Sequence, residues 1–414
     1  MKKLLSLVLA LMLLLGCTSL ASADEEVTLE FWIASNDESW FSAYDAVTKA
    51  YMASHPNVKI NLNMYAWGEY FTKLTASFVG GIGPDVFAIG FAQFYTLADK
   101  GNMLDLTPYI PADWDGYGDI PKSILDMGSL DGKLHALLVP EGRSIYYRKD
   151  IADLQGVTEA DLQITNFDTL IALADKLTLK EGNDTIMAGI ELSTTASSSP
   201  EQTTYITGRM EGAPNLWNAD LTGNFNHAAF ATALAKAKAM VDRGTMLLQT
   251  PGLSYFNTDA SAMIISSQNQ VEPQLAQLAE LGGEVGIIPL PAGTNVLLGQ
   301  WYAVNKDTKK AQYAADFLLY LNSVEGETIL IDQMGQVPNR TSLGNYYCNG
   351  NEMRTIYFNS LMSDAQAYGP VANGKFLTWI NDYRSACEAS LAGTMGVQEA
   401  LDSFMAKYAA IMSE

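Results

Sequence analysis

A chain of 414 residues that is 48% hydrophobic has length for more than one domain and is too apolar to be disordered. Its 46 acidic residues against 25 basic ones give a net charge of −21, which repels nucleic acid and anionic lipid. Three histidines and three cysteines lie scattered, with no CxxC or HExxH spacing, and neither a P-loop nor a GxSxG turn is present, so no metal centre, cofactor or catalytic motif is expected.

The N-terminus reads MKKLLSLVLALMLLLGCTSLASADEE. Lys2 and Lys3 precede an apolar run from Leu4 to Leu15 that is too short to span a bilayer, which takes about 20 residues. This is the pattern of a secretory signal peptide over residues 1–23, cleaved after Ala21-Ser22-Ala23. A second reading is the favoured one. Leu14-Leu15-Gly16-Cys17 looks like a lipobox, in which residues 1–16 are removed and Cys17 is lipidated. Both readings export the chain, to a membrane-anchored surface position in the second case and to a periplasmic or secreted one in the first.

VTLEFWIAS, from Val27, alternates and then turns apolar, as a strand entering a buried sheet does. A capped helix follows and stops at His55-Pro56. VKINLNMYA is a second strand, WGEYFTKLTASFVGG a helix ended by glycines, PDVFAIG a third strand, and FAQFYTLADKGNMLDLTPYI a helix closed by Gly101. Strands and helices alternating at this pitch predict right-handed crossovers and a largely parallel sheet. HALLVPEGRSIYYRKDI is extended, and a second alternating region runs on from FDTLIALADKLTL through EVGIIPLPAG. LGQWYAVNKD is a strand, two helices follow to GQVPNR, and the tail from Asn351 is helical.

The joint order of these segments resembles the extracellular solute-binding proteins of ABC importers, in the family of maltose- and multiple-sugar-binding proteins. EFWIAS, GGIGPDVFAIG, DKGNMLDLTP, DGKLHALLVPEGRSIYYRKD, SAMIISSQ, GIIPLP, GQWYAVNKD, AADFLLYLNSVEGE and GQVPNR carry the resemblance. It implies a two-lobed α/β periplasmic-binding-protein-like fold, each lobe a mostly parallel sheet flanked by helices. The N-lobe is expected over residues 27–140 plus 302–336 and the C-lobe over 141–298 plus 338–414, joined by crossover strands. The implied protein is a monomer and no enzyme. It captures a carbohydrate by hinge closure and delivers it to permease subunits in the membrane.

Ligands of open α/β sheets bind at the carboxyl ends of strands. That rule selects Ser35, Asn36 and Trp40 after the first strand, and Phe91 and Gln93 after the third. At the crossovers it selects Arg143, Gln300 and Trp301. Sugars offer hydroxyl rims and apolar faces, so tryptophans near turns join the candidates: Trp217 and Trp379 beside Trp40 and Trp301. Against each stands an ordinary packing role. For Trp67 packing at a helix start is the expectation, and Trp32 is expected in the core. Asp85 is a candidate by resemblance and a turn cap by chemistry. Arg143 and Arg340 could hold an anion or form internal salt bridges. Gly90 stands where the family commonly has a carboxylate, and Gln300 where it commonly has a second glycine.

Other cargoes remain open on the sequence. Tyr346-Tyr347 suits ferric iron, many acids suit a polyamine, and the arginines suit a uronate or glycerophosphate. Cys348 and Cys387 could pair or stay reduced.

Overall fold

The computed structural model describes residues 26–35, 38–192, 200–248 and 254–414. Cys17 and the leader, like Asn36, lie outside the described residues.

Ten strands form two five-stranded sheets. The first contains β1 (Val27–Ala34), β2 (Val58–Tyr65), β3 (Val86–Gly90), β4 (Ala136–Glu141) and β10 (Leu298–Val304), in the order β2-β1-β3-β10-β4. The second contains β5 (Ser144–Arg148), β6 (Ile190–Leu192), β7 (Met246–Leu248), β8 (Met263–Ser266) and β9 (Val285–Pro289), in the order β7-β6-β8-β5-β9. Both sheets share one polarity pattern. Three neighbouring strands are parallel, and the fourth is antiparallel to both strands beside it.

Chain path explains the reversed strand. The strands of each parallel set end at the side where the other lobe sits. β5 and β10 arrive across that gap and must run away from it. β4 and β9 lead back toward it. The turn 142–143 joins β4 to β5, and residues 290–297 return from β9 to β10. All of β10 is laddered into the first sheet, with Leu298 opposite Glu141. The return crossing therefore precedes Leu298, not Tyr302 as the sequence reading had it.

Alternation along the strands creates two cores in the first lobe. Leu29, Phe31 and Ile33 face α1 (Glu38–Ser54), which packs with the helices Ala311–Leu321 and Val324–Met334. Phe87, Ile89 and Trp301 face the opposite way, toward α2 (Trp67–Val79) and α3 (Phe91–Asp99). This second core is continuous with that of the other lobe. Trp32 is half-buried, its ring 4.9 Å from that of Tyr65, rather than interior as expected from its strand. Cys348 and Cys387 are both free thiols. Cys387 is buried, and desolvation pushes its thiol up to about 12. Among the described residues no helix is long and apolar enough to cross a membrane.

Candidate functional site

The carboxyl ends of β1, β2 and β3 make one wall of the gap between the lobes. Ser35 closes β1, its N–H donating to the Tyr65 carbonyl at 3.0 Å. Trp40, in the first turn of α1, is half-buried and stacks on Tyr44 at 6.0 Å. The next turn of chain explains Gly90. A Cβ there would lie 3.0 Å from Gln93 Oε1, 3.7 Å from the Trp67 ring and 3.9 Å from Phe71. Trp67, Phe71 and Gln93 therefore converge where a longer side chain would stand. Trp67 and Phe71 lie 5.5 Å apart, tilted 38° to each other, and are half-buried, giving an apolar aromatic surface beside an amide. Trp67 begins α2 directly after β2, so the rule of strand ends, applied to the second strand, would have selected it.

The opposite wall is polar. The Arg143 guanidinium donates to Gln202 Oε1 at 2.9 and 2.5 Å, to Glu141 Oε1 at 2.5 Å and to the Gly142 carbonyl at 2.8 Å. Burial works against its charge, and Glu141 outweighs burial, so Arg143 is held charged above the usual arginine value. Asn269 donates to the second oxygen of Glu141 at 3.1 Å. Arg384 forms a bidentate pair with Glu201 at 2.7 and 2.8 Å. Ser144 Oγ, Ser267 Oγ and Asn269 Oδ1 are buried without a protein partner.

Between these walls the lobes touch through aromatic rings. Phe91 meets Tyr368 at 4.9 Å and Phe376 at 5.3 Å, and Tyr95 meets Trp217 at 6.3 Å. Trp301 stacks on Phe94 at 5.3 Å, and its indole N–H donates to the Met127 carbonyl at 3.1 Å. On the Phe94–Tyr95 side lies a cavity of about 330 Å³, reached by residues of both lobes including Asp126, Asn215 and Gln366.

The sequence candidates thus separate. Ser35, Trp40, Gln93, Arg143 and Gln300 stand at the gap, and Phe91, Trp217 and Trp301 belong to the aromatic wall. Trp217 and Trp301 are fully buried, which corrects the expectation that they stack on a ligand. Gln300 is largely committed: its Oε1 accepts from Tyr302 at 2.5 Å and its Nε2 lies 3.5 Å from the Ala34 carbonyl. Three candidates are corrected outright. Asp85 sits at the amino end of β3, away from the gap, and accepts from Glu30 N–H, Thr308 and Lys310. Arg340 is buried against Asp115, Asp119 and the Asn322 carbonyl. Trp379 is interior to the second lobe, 5.1 Å from Phe225 and 5.4 Å from Tyr408.

Asp85 carries a testable structural role. Asp85→Ala removes a buried carboxylate that three donors from two segments share, and should cost about 2–3 kcal/mol in urea unfolding. Ligand affinity should be unchanged.

The tyrosine pair does not form a site. Tyr346 is exposed and donates to Asp332 at 2.6 Å, whereas Tyr347 is buried. Among the described residues no group of three His, Cys, Asp or Glu is placed to hold a metal ion.

The profile of bacterial extracellular solute-binding proteins matches residues 46–346. The chain belongs to that family. A Brucella abortus protein named as a binding protein is 23% identical to this solute-binding protein over 382 residues, 87% of each chain. Two solved structures share its fold. An ABC substrate-binding protein of Listeria monocytogenes, in complex with cycloalternan, has a TM-score of 0.78 at 21% identity, covering 94% of this chain and 100% of that one. The UgpB protein of Mycobacterium tuberculosis, in complex with glycerophosphocholine, has a TM-score of 0.80 at 15% identity, covering 93% and 98%. With these, the two-lobed α/β expectation holds.

Proposed function

We propose that this solute-binding protein is the receptor of an ABC importer for an uncharged carbohydrate. The sugar sits between the lobes, its apolar face on Trp67 and Phe71. Its hydroxyls meet Ser35, Gln93 and the amides and hydroxyls along the Arg143–Asn269 edge. The observation that carries this reading is the pairing of charge around the gap. Among the described residues Arg143 is matched by Glu141, Arg384 by Glu201, and Lys73 by Glu69 at 3.0 Å and the Tyr65 ring at 4.5 Å. A uronate or glycerophosphate would need an unspent cation, and a polyamine would need unspent carboxylates. A neutral polyol needs only donors, acceptors and a planar face. The Listeria structure holds cycloalternan on this fold.

The receptor works by differential affinity. A ligand touching both walls stabilises the closed lobes, and the closed form docks on the permease. Cys17, if lipidated, ties a monomeric receptor to the membrane beside that permease. Stable tethering takes more than one acyl chain, which a diacylated cysteine supplies.

A thermal-shift screen tests the reading, with neutral mono- and oligosaccharides set against uronates, glycerophosphodiesters, polyamines and ferric iron. A ligand that binds the native state raises the melting temperature. A shift with a neutral sugar is expected. A shift confined to an ionic cargo would overturn it.

A further inference from the structure

The amino edge of the first sheet carries the two most exposed large apolar side chains among the described residues, Val79 at 87% and Ile82 at 79%. They belong to one turn. α2 ends at Val79, Gly81 takes a φ of +65°, and the Gly81 and Ile82 N–H groups donate back to the Phe78 and Ser77 carbonyls at 3.2 and 3.0 Å. This is a closed helix cap, so hydrogen bonds fix the turn. In such a cap the residue at the position of Ile82 commonly packs against the helix residues five or six before it. Here those are Ser77, whose hydroxyl donates to the Leu74 carbonyl at 2.8 Å, and Ala76, a single methyl. Ile82 has no apolar surface to fold onto and stays in solvent.

The turn leads through Gly83-Pro84-Asp85 into β3, so it lies at the opposite end of the sheet from the gap. β1 starts at the same edge. It runs parallel to β3 with Phe31 opposite Val86, which puts Val27 four residues further out. Ten residues separate Val27 from Cys17, a reach of at most about 35 Å. An anchor at Cys17 therefore attaches the receptor by this edge and not by the gap.

The balance of charge is reversed here. Asn305 Nδ2 donates to the Pro84 carbonyl at 3.1 Å, and the Lys306 N–H donates to the Asn102 carbonyl at 3.1 Å. These bonds gather residues 99–102 and 305–310 around the turn, bringing Lys100, Lys306, Lys309 and Lys310. The acids among them are Asp99, Asp307, paired with Lys306 at 3.3 Å, and the buried Asp85, paired with Lys310 at 2.9 Å. Lys100 and Lys309 are exposed and join no ion pair among the described residues. Lysines thus outnumber acids on this edge, in a chain where acids outnumber bases 46 to 25.

We propose, on the reading that Cys17 is lipidated, that this edge is a membrane-contact surface. Val79 and Ile82 enter the headgroup region of the bilayer that holds the anchor, and Lys100 and Lys309 face its anionic phosphates. Apolar tips beside lysines match the two layers of that interface. The chain as a whole repels anionic lipid, so the contact depends on the tether. Once tethered, lysines within a Debye length of about 8 Å outweigh the distant acids. Two aliphatic side chains and a few lysines make a reversible contact. It leaves the gap open to solute on the side away from the lipid.

The test separates the surface from the anchor. Mass spectrometry of the protein taken from its native membrane reads whether Cys17 carries acyl chains, and a mature chain without them overturns the anchor. For the surface, the mature chain carries a polyhistidine tag in place of Cys17. A nickel-chelating lipid holds it on phosphatidylcholine vesicles containing phosphatidylglycerol. Hydrogen exchange is then compared with the same chain free in solution. Amides of residues 77–84 and 305–310 should exchange several-fold more slowly on the vesicle, and those at the gap, around Tyr65 and Gly90, should not change. Val79→Ser with Ile82→Ser, both at positions in solvent, should abolish the slowing and leave the melting temperature unchanged. Equal exchange on and off the vesicle would overturn the proposal. So would slowing at high protein concentration without vesicles, which assigns the face to a second copy of the chain.

Discussion

Trp301→Ala should lower the stability of the protein by about 3–5 kcal/mol, the ordinary cost of emptying a large aromatic site in a core. The ring is fully buried on the same face of the first sheet as Phe87 and Ile89, stacked on Phe94 and tilted against Phe91 at 5.8 Å. Its N–H holds the Met127 carbonyl, so the helix Lys122–Met127 loses an anchor as well. Phe91 in turn meets Tyr368 and Phe376 of the other lobe. The loss should therefore spread across the inter-lobe wall, and urea unfolding should show an earlier midpoint for the whole chain. Trp301→Phe should recover most of the stability, because a smaller ring still reaches Phe94. An alanine variant as stable as wild type, with ligand affinity alone reduced, would return Trp301 to the ligand's surroundings.

Trp67→Ala should do the reverse. The ring is half-buried at the start of α2 and packs on the rim of the core, so truncating it removes less than truncating the fully buried Trp301. It removes the planar face opposite Gly90. Aromatic anchors at the centre of a binding site contribute about 2 kcal/mol, so the dissociation constant for the sugar should rise roughly thirtyfold. Isothermal titration of the variant against wild type measures this, and the melting temperature of the free protein should move little. Trp67→Phe should restore part of the affinity, since a smaller planar surface remains. An unchanged affinity in the alanine variant would place the sugar elsewhere.

Comparing these two tryptophans shows what the sequence could convey. Both follow or occupy strands. The succession of strands and helices along the chain was legible, because alternation in EFWIAS and GQWYAVNKD and the glycine-closed helices determine local structure. Which face of β10 looked inward was not. Trp301 and Gln300 are neighbours that point to opposite faces, and only the register Trp301–Ile89 and Gln300–Gly90 assigns them. The reversed fourth strand in each sheet follows from arrival across the gap, a property of the whole chain path rather than of any window. Arg340 and Asp85 were legible as residues with strong chemistry but not as spent ones, since Asp115, Asp119, Thr308 and Lys310 lie far off in sequence. Trp67 was assigned to packing because it opens a helix, and Gly90 reads in sequence as a lost carboxylate, whereas in the fold it is the space on which Trp67, Phe71 and Gln93 converge.

The placement of the ligand is the central claim, and a crystal structure of the protein with the sugar found in the thermal-shift screen tests it most directly. The sugar ring is expected over Trp67 and Phe71 at Gly90, with its hydroxyls toward Gln93 and the Gln202–Asn269 wall. A sugar found instead in the cavity on the Phe94–Tyr95 side, with the Trp67 face bare, would contradict the account.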